Sequence, residues 1–166
     1  MINEFLKIQE ELDVFPQGFK SLMIASKTKD GEPFSSYAPF VKVDDTFYFI
    51  ISKMASHYQN IINYPVISIL FLEDEAASKH IFFRKRLSYL VETSITNKKE
   101  VKDAMFEKFG EFVHMLFKMD FVIVSCKIKK GSFVIGAGKA YVIDEHQKVL
   151  KQMTGNNKGH GHRKED

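Results

Sequence analysis

The sequence predicts a mainly β domain, a closed or partly open antiparallel barrel with helices packed on its outside. Three observations predict it. The element order reads strands, one helix, strands, helices, strands. The strand-like runs are short and bounded by Gly, Pro or Asp turns. The stretch from Ser52 to Leu72 delivers a helix directly into the β-branched, aromatic run Val66 to Leu72, which reads as buried. With 166 residues, 45% apolar and 27% charged, the chain is long enough for one domain with a real core and too apolar to stay disordered.

Taken in order, Ile2, Phe5, Leu6, Leu12 and Phe15 fall near helical spacing with Asn3 as a candidate cap, and Pro16-Gln17-Gly18 ends that helix. Phe19 to Ser26 reads as a strand, Thr28-Lys29-Asp30-Gly31 as a hairpin turn, and Glu32 to Val43 as the returning strand, interrupted at Pro39. Asp44-Asp45 turns the chain into Thr46 to Ser52. In the helix that follows, Met54, Ile61 and Ile62 face inward, Ser52 or Ser56 caps the start, and Pro65 forbids continuation. Such a start presents free N–H groups, a natural place for a phosphate or carboxylate, although every helix needs a cap.

Phe82 to Thr93 then alternates, with Arg84, Arg86 and Ser88 on one face and Phe83, Leu87 and Tyr89 on the other. A helix starting at Asn97 stops at Gly110, and a short helix covers Phe112 to Leu116. Phe121 to Ile128 is a strand turned by Lys129-Lys130-Gly131. Ser132 to Gly136 with Ala140 to Ile143 forms the last pair or one bent strand. The barrel domain thus spans residues 1–144, and residues 145–166, poor in apolar groups, form a flexible C-terminal tail.

A net charge of +3 and a pI near 8.8 are too mild for nucleic acid, which draws a dense basic stripe, but they suit a small anionic ligand. The lone Cys126 lies in an apolar strand-like run and reads as a buried, inert thiol. No apolar run approaches about 18 residues and no segment has signal-peptide order, so the expectation is a cytoplasmic protein without membrane contact. His160 and His162, each preceded by glycine, stand on the tail, where a flexible segment could bring an imidazole to a transition metal, although such a terminus is equally plain solvated chain. His80, His114 and His146 share no ligand spacing and are given no role.

The hairpin Ser21 to Ser26, Asp30 to Pro33 and Ser36 to Phe40 resembles the opening of the FMN-binding split barrels related to pyridoxamine-phosphate oxidase. Ser52 to Pro65, with its Ser-x-x-x-x-His-x-x-Asn core and Tyr-Pro ending, is similar to the same superfamily. Asp120-Phe121, followed by Ser132-Phe133-Val134-Ile135-Gly136-Ala137-Gly138-Lys139-Ala140-Tyr141, resembles its haem-utilisation branch, the HugZ/HutZ type, whose last strand carries Gly-Phe-Gly-x-Ala. The resemblance runs from Phe15 to Tyr141. Ala137 departs from the pattern where the branch has an aromatic.

The resemblance implies a Greek-key split barrel that forms a homodimer and binds haem in a cleft between subunits. It implies oxidative degradation of haem with dioxygen and an external electron donor, releasing iron. The proximal iron ligand maps onto His160, with His162 the close alternative, and Asp120 takes the place of a carboxylate that hydrogen-bonds the ligand histidine. Arg84, Arg86 and Lys139 are candidates for the propionates, although basic surface residues are common. Gly136 and Gly138 could admit the macrocycle, a bulge being an equal reason for them, and His57 is either a helix-surface residue or a polar group at the haem edge. Two alternatives stand beside this: an FMN-dependent oxidoreductase on the same barrel, and a non-catalytic haem carrier or storage protein.

Overall fold

The computed structural model describes residues 2–154, which form four α-helices and eight strands. α1 (Ile2–Val14) passes through a 3-10 turn into β1 (Ser21–Lys27), β2 (Pro33–Val43) and β3 (Thr46–Ser52). Next come α2 (Ser56–Asn63), β4 (Val66–Leu72), β5 (Arg86–Thr96), α3 (Lys99–Phe109) and α4 (Phe112–Lys118). β6 (Phe121–Gly136), β7 (Lys139–Ile143) and β8 (Val149–Gln152) complete the chain. The strands are antiparallel in the order β3-β2-β1-β4-β5-β6-β7-β8, and β3 pairs again with β6, closing six of them into a barrel.

The closure rests on the length of β6. Its first residues, Phe121 to Cys126, lie against β3, while Gly131 to Gly136 lie against β7, and β5 runs along the other side throughout. The turn expected at Lys129-Lys130-Gly131 is instead a bulge. Leu90 faces Lys130 and Val91 faces Ile128, so Lys129 is an extra residue that bends the strand without ending it. β2 is likewise continuous through Pro39, which sits where its partner changes from β1 to β3, a junction that tolerates a residue without an N–H.

β3 buries every residue from Phe47 to Ile51 because both its faces are covered. Phe47, Phe49 and Ile51 belong to the barrel interior, where the rings of Phe40, Phe47 and Phe71 meet at centroid separations of 5.1 to 6.0 Å. Each ring so buried contributes about 1.5–3 kcal/mol. Tyr48 and Ile50 pack outward, with Val41 and Ile123, beneath Val101 and Met105 of α3 and Val113 of α4. Lys108 pins α3 to the barrel: its Nζ donates to the carbonyls of Phe40 (2.8 Å) and Phe19 (3.1 Å).

α1 buries Ile8 and Leu12 on the barrel and reaches across to the last hairpin. Gln9 Nε2 donates to the Gln147 carbonyl, and Gln9 Oε1 accepts from Val149 N–H, both at 2.9 Å. That clamp explains why, beyond residue 144, where composition suggested a solvated tail, Val149–Gln152 pairs with β7 as an edge strand.

Candidate functional site

The end of β3 and the start of β6 bring Ser52 and Asp120 together. Ser52 Oγ donates to Asp120 Oδ2 at 2.5 Å, Met54 N–H reaches both Ser52 Oγ (3.0 Å) and Asp120 Oδ2 (3.2 Å), and Lys53 N–H donates to the Asp120 carbonyl (3.1 Å). The Ser52 hydrogen bond, helped by the Met54 amide, holds the Asp120 carboxyl below the usual carboxylate range, so it is ionised at neutral pH. Among the described residues its Oδ1 accepts no side-chain hydrogen bond. Met54 (88% exposed) and Met119 (64%) flank it, an apolar rim around one anionic oxygen.

The capping expectation for α2 is corrected here. Ala55 occupies the N-cap position and no side chain caps the helix. Ser52 is turned away to Asp120, and the loop amide next to the helix start, offered by the sequence to an external anion, is taken by the Asp120 carboxylate. One turn on, His57 Nδ1 lies 2.9 Å from Ser36 Oγ on β2, and Asn60 Nδ2 donates to the buried Ser26 Oγ on β1 at 3.1 Å. His57 is half-buried, and the loss of water around it pushes its imidazole below the ordinary 6.5. Asn60 stands in the Ser-x-x-x-x-His-x-x-Asn core and Ser26 and Ser36 in the hairpin, but the sequence gives them no role, because each pair joins α2 to a strand distant in the chain.

The two arginines do not share a strand face. Arg84 precedes β5, in the connection that holds the 3-10 turn Ile81–Phe83, and its guanidinium donates to the Glu73 carbonyl with Glu75 Oε1 3.7 Å away. Phe83 likewise lies in that turn and is exposed. Arg86 opens β5 on its outer face, exposed, donating to the Arg84 carbonyl at 3.2 Å.

Gly136 and Lys139 fall elsewhere. They stand at the far end of β6 from Asp120, a 16-residue strand that covers on the order of 50 Å along its path at about 3.3 Å per residue. There they line a cleft of about 590 Å³ with Lys79, His80, Phe83, Lys85 and Ile135. Gly138 adopts φ +67° in the β6–β7 turn and so has a backbone reason of its own. His160 and His162 lie outside the described residues. Within one protomer the sequence-predicted set therefore divides: Asp120 stands at the start of β6 and His57 is held on α2 by Ser36, whereas Arg86, opposite Val134, lies at the Gly136–Lys139 end of the barrel.

The outer face of β1, β4, β5 and β6 carries Met23, Ala25, Ser68, Leu70, Ser88, Leu90, Ser132 and Val134, small or apolar residues left exposed or only partly covered. No helix among the described residues is long and apolar enough to cross a membrane, and no group of three or more His, Cys, Asp or Glu side chains among them is arranged to hold a metal ion.

The model of the pyridoxamine 5'-phosphate oxidase family matches residues 8–155. The haem oxygenase HutZ of Vibrio cholerae is 34% identical over 143 residues, 82% of this chain and 81% of that protein. The structure of ChuZ from Campylobacter jejuni superposes with a TM-score of 0.82 at 34% identity, covering 90% of this chain and 63% of ChuZ, so the chain spans less than two thirds of that protein. A crystal structure of Vibrio cholerae HutZ, described there as a haem storage protein, superposes with a TM-score of 0.70 at 34% identity, covering 75% of this chain and 92% of HutZ. The chain belongs to the pyridoxamine 5'-phosphate oxidase family, in its HugZ/HutZ-type haem-utilisation branch.

Proposed function

We propose that the chain binds haem as a homodimer, in a cleft between subunits that joins Asp120 of one subunit to Arg86 of the other, and opens the ring oxidatively with dioxygen and electrons from an external donor. Within one subunit the two stand at opposite ends of the barrel, Asp120 before β6 and Arg86 opposite Val134. The carrying observation is the ionised Asp120 carboxylate, fixed by Ser52 and Met54 with Oδ1 still able to accept a hydrogen bond. A carboxylate so placed can receive the ring N–H of a ligand histidine, raise its basicity and fix its orientation. His160 is the proposed axial ligand, with His162 as alternative.

The surroundings fit a flat apolar ring bearing two anionic groups. Met54 and Met119 supply apolar contact beside Asp120, and Arg86 is better placed than Arg84 to meet a propionate, because Arg84 is already held by Glu73 and Glu75. The uncharged outer face around Met23, Leu70 and Leu90 suits a second copy of the chain, which would place one subunit's Asp120 near the other's ligand. Bound haem supplies the redox chemistry. The protein's part is to bind, orient and hold a hydrogen bond at Asp120.

Haemin added to the full chain should give a sharp Soret band that a variant ending at Thr154 loses. Ascorbate in air should bleach it, and the same mixture under argon should not. A band stable to reductant and air would leave storage as the function, as in the name given to the Vibrio cholerae HutZ structure. A yellow protein absorbing near ~450 nm and indifferent to haemin would mark the family's flavin chemistry instead.

A further inference from the structure

We infer that the pocket between α3 and β2 is a ligand site that takes a small monocarboxylate with an apolar body. It holds about 400 Å³, the size of a small-molecule site. The 3-10 turn Phe15–Gly18, the β2 segment Phe40 to Lys42 and the last turn of α3 build it. Lys42 and Lys108 are its cations. Lys108 Nζ stands 3.9 Å from the centre of the Phe40 ring and gives two of its three N–H donors to the carbonyls of Phe40 (2.8 Å) and Phe19 (3.1 Å). Among the described residues the third donor has no acceptor. Lys42 Nζ lies 5.1 Å from the centre of the Phe47 ring, and among the described residues no carboxylate comes within ion-pairing distance of either lysine.

Burial lowers the Lys108 amine from its ordinary 10.5, the mark of an ammonium that its neighbours do not fully compensate. A carboxylate at the third donor supplies the missing charge through a charge-assisted hydrogen bond. Glu107, the acid of the lining, is exposed and turned about 100° round the helix from Lys108. Two lysines against one glutamate leave a single positive charge, which a monoanion balances. Pro16, Val41 and Ala104 supply the apolar wall for its body. The pocket lies where α3 covers the outward residues of β2 and β3, whereas the face proposed to meet a second copy belongs to β1, β4, β5 and β6. Lys42 faces Phe47, five residues along β3 from Ser52 and so on the order of 17 Å from it at about 3.3 Å per residue. No lining residue is shared with the Gly136–Lys139 cleft. The inference therefore does not depend on haem binding.

The probe is 4-phenylbutyrate, titrated into the full-length, haem-free, isotope-labelled protein, with 4-phenylbutyramide as the same body without the charge. Backbone shifts should concentrate at residues 17–18, 40–42 and 104–108, and the carboxamide should bind about tenfold more weakly or worse, as a charge-assisted contact is lost. Lys42→Gln should lower affinity for the carboxylate by about tenfold. Lys108 also anchors α3, so the second variant is Ala104→Leu, which keeps both lysines and the anchor, fills the pocket and should block binding. Lys29→Gln, on the exposed hairpin, should change nothing. Saturating 4-phenylbutyrate should leave the Soret band with haemin intact, and a chain that binds no haem should still take the probe. Shifts centred elsewhere, equal affinity for the carboxamide, or unchanged affinity in Lys42→Gln or in a folded Ala104→Leu would each overturn the inference. Loss of the Soret band on adding the probe would also overturn it, by making the pocket part of the haem site.

Discussion

Ser52 Oγ donates a 2.5 Å hydrogen bond to Asp120 Oδ2 beside the last rung that pairs β3 with β6, Ser52 opposite Phe121. The bond joins the strand that enters the α2 loop to the strand that closes the barrel, and the Met54 amide completes it. The proposed ligand-orienting carboxylate is thus fixed by the same contacts that lock the loop.

Asp120→Asn keeps the shape and removes the charge. Haemin should still bind through the tail histidine, while haem degradation slows by about 10–100-fold, the usual cost of losing an outer partner of a ligand histidine. The acid limb of stability should change as well. The native carboxyl titrates below its ordinary 3.8, so its contribution is complete above that value and is lost as pH falls through the lower native one. The asparagine variant lacks that step. Wild-type degradation rates in Asp120→Asn would remove the carboxylate from the mechanism.

His57 governs a separate window. Burial depresses its native pKa below 6.5, so the folded state prefers the neutral ring, and stability present above that value is lost as pH falls through the native one. Melting temperature should therefore drop between about pH 7 and 5, and His57→Gln, which keeps a hydrogen-bonding partner for Ser36 but cannot titrate, should flatten the drop. An equal drop in both proteins would assign it to another group.

Cys126 is 1% exposed inside the barrel, and burial pushes its thiol well above the ordinary range. A thiolate is the reactive form. Ellman's reagent should leave the native protein unmodified over hours and react at once in guanidinium. Rapid reaction without denaturant would mean that the barrel opens locally around β6.

Tyr89 lays its ring over Gly131: a Cβ there would come within 2.5 Å of Cδ1 and 2.6 Å of Cε1, with the Ser88 carbonyl at 2.9 Å. Gly131→Ala should cost about 1–3 kcal/mol, the range for overpacking a core. Chemical denaturation measures it, and the double variant with Tyr89→Leu should recover most of the loss if the ring is the cause.

Gly131 also shows what the sequence could and could not reveal. The first hairpin, the strands β3 and β4 and the stop at Gly110 (φ +85°) are legible because alternation and turn chemistry are local. Lys129-Lys130-Gly131 has turn composition, but its glycine answers to a ring on the neighbouring strand and its lysines to a bulge, neither visible in a local window. Ser52 obeys the capping rule locally and is diverted by a carboxylate 68 positions along the chain. Arg84 continues an alternating pattern, but Glu73 holds it outside the strand. Asp120 and His57 were reached through family resemblance, whereas Lys79 and His80 join Lys139 only once two distant connections meet.

The two glycines of the last turn separate conformational need from open space. Gly138 holds φ +67°, a left-handed backbone that costs a residue with a Cβ about 1 kcal/mol, although nothing lies within 4 Å of the added atom. Gly136 has no such backbone demand, and its Cβ would meet only the flexible end of Lys139. Gly138→Ala should therefore lower the melting temperature by a few degrees, on the order of 2–4 °C for a chain of this size. Gly136→Ala should leave the melting temperature unchanged, because the new methyl meets only a flexible side chain at van der Waals distance. A destabilised Gly136→Ala would show instead that Gly136 serves the irregularity of β6 between Val134 and Gly136.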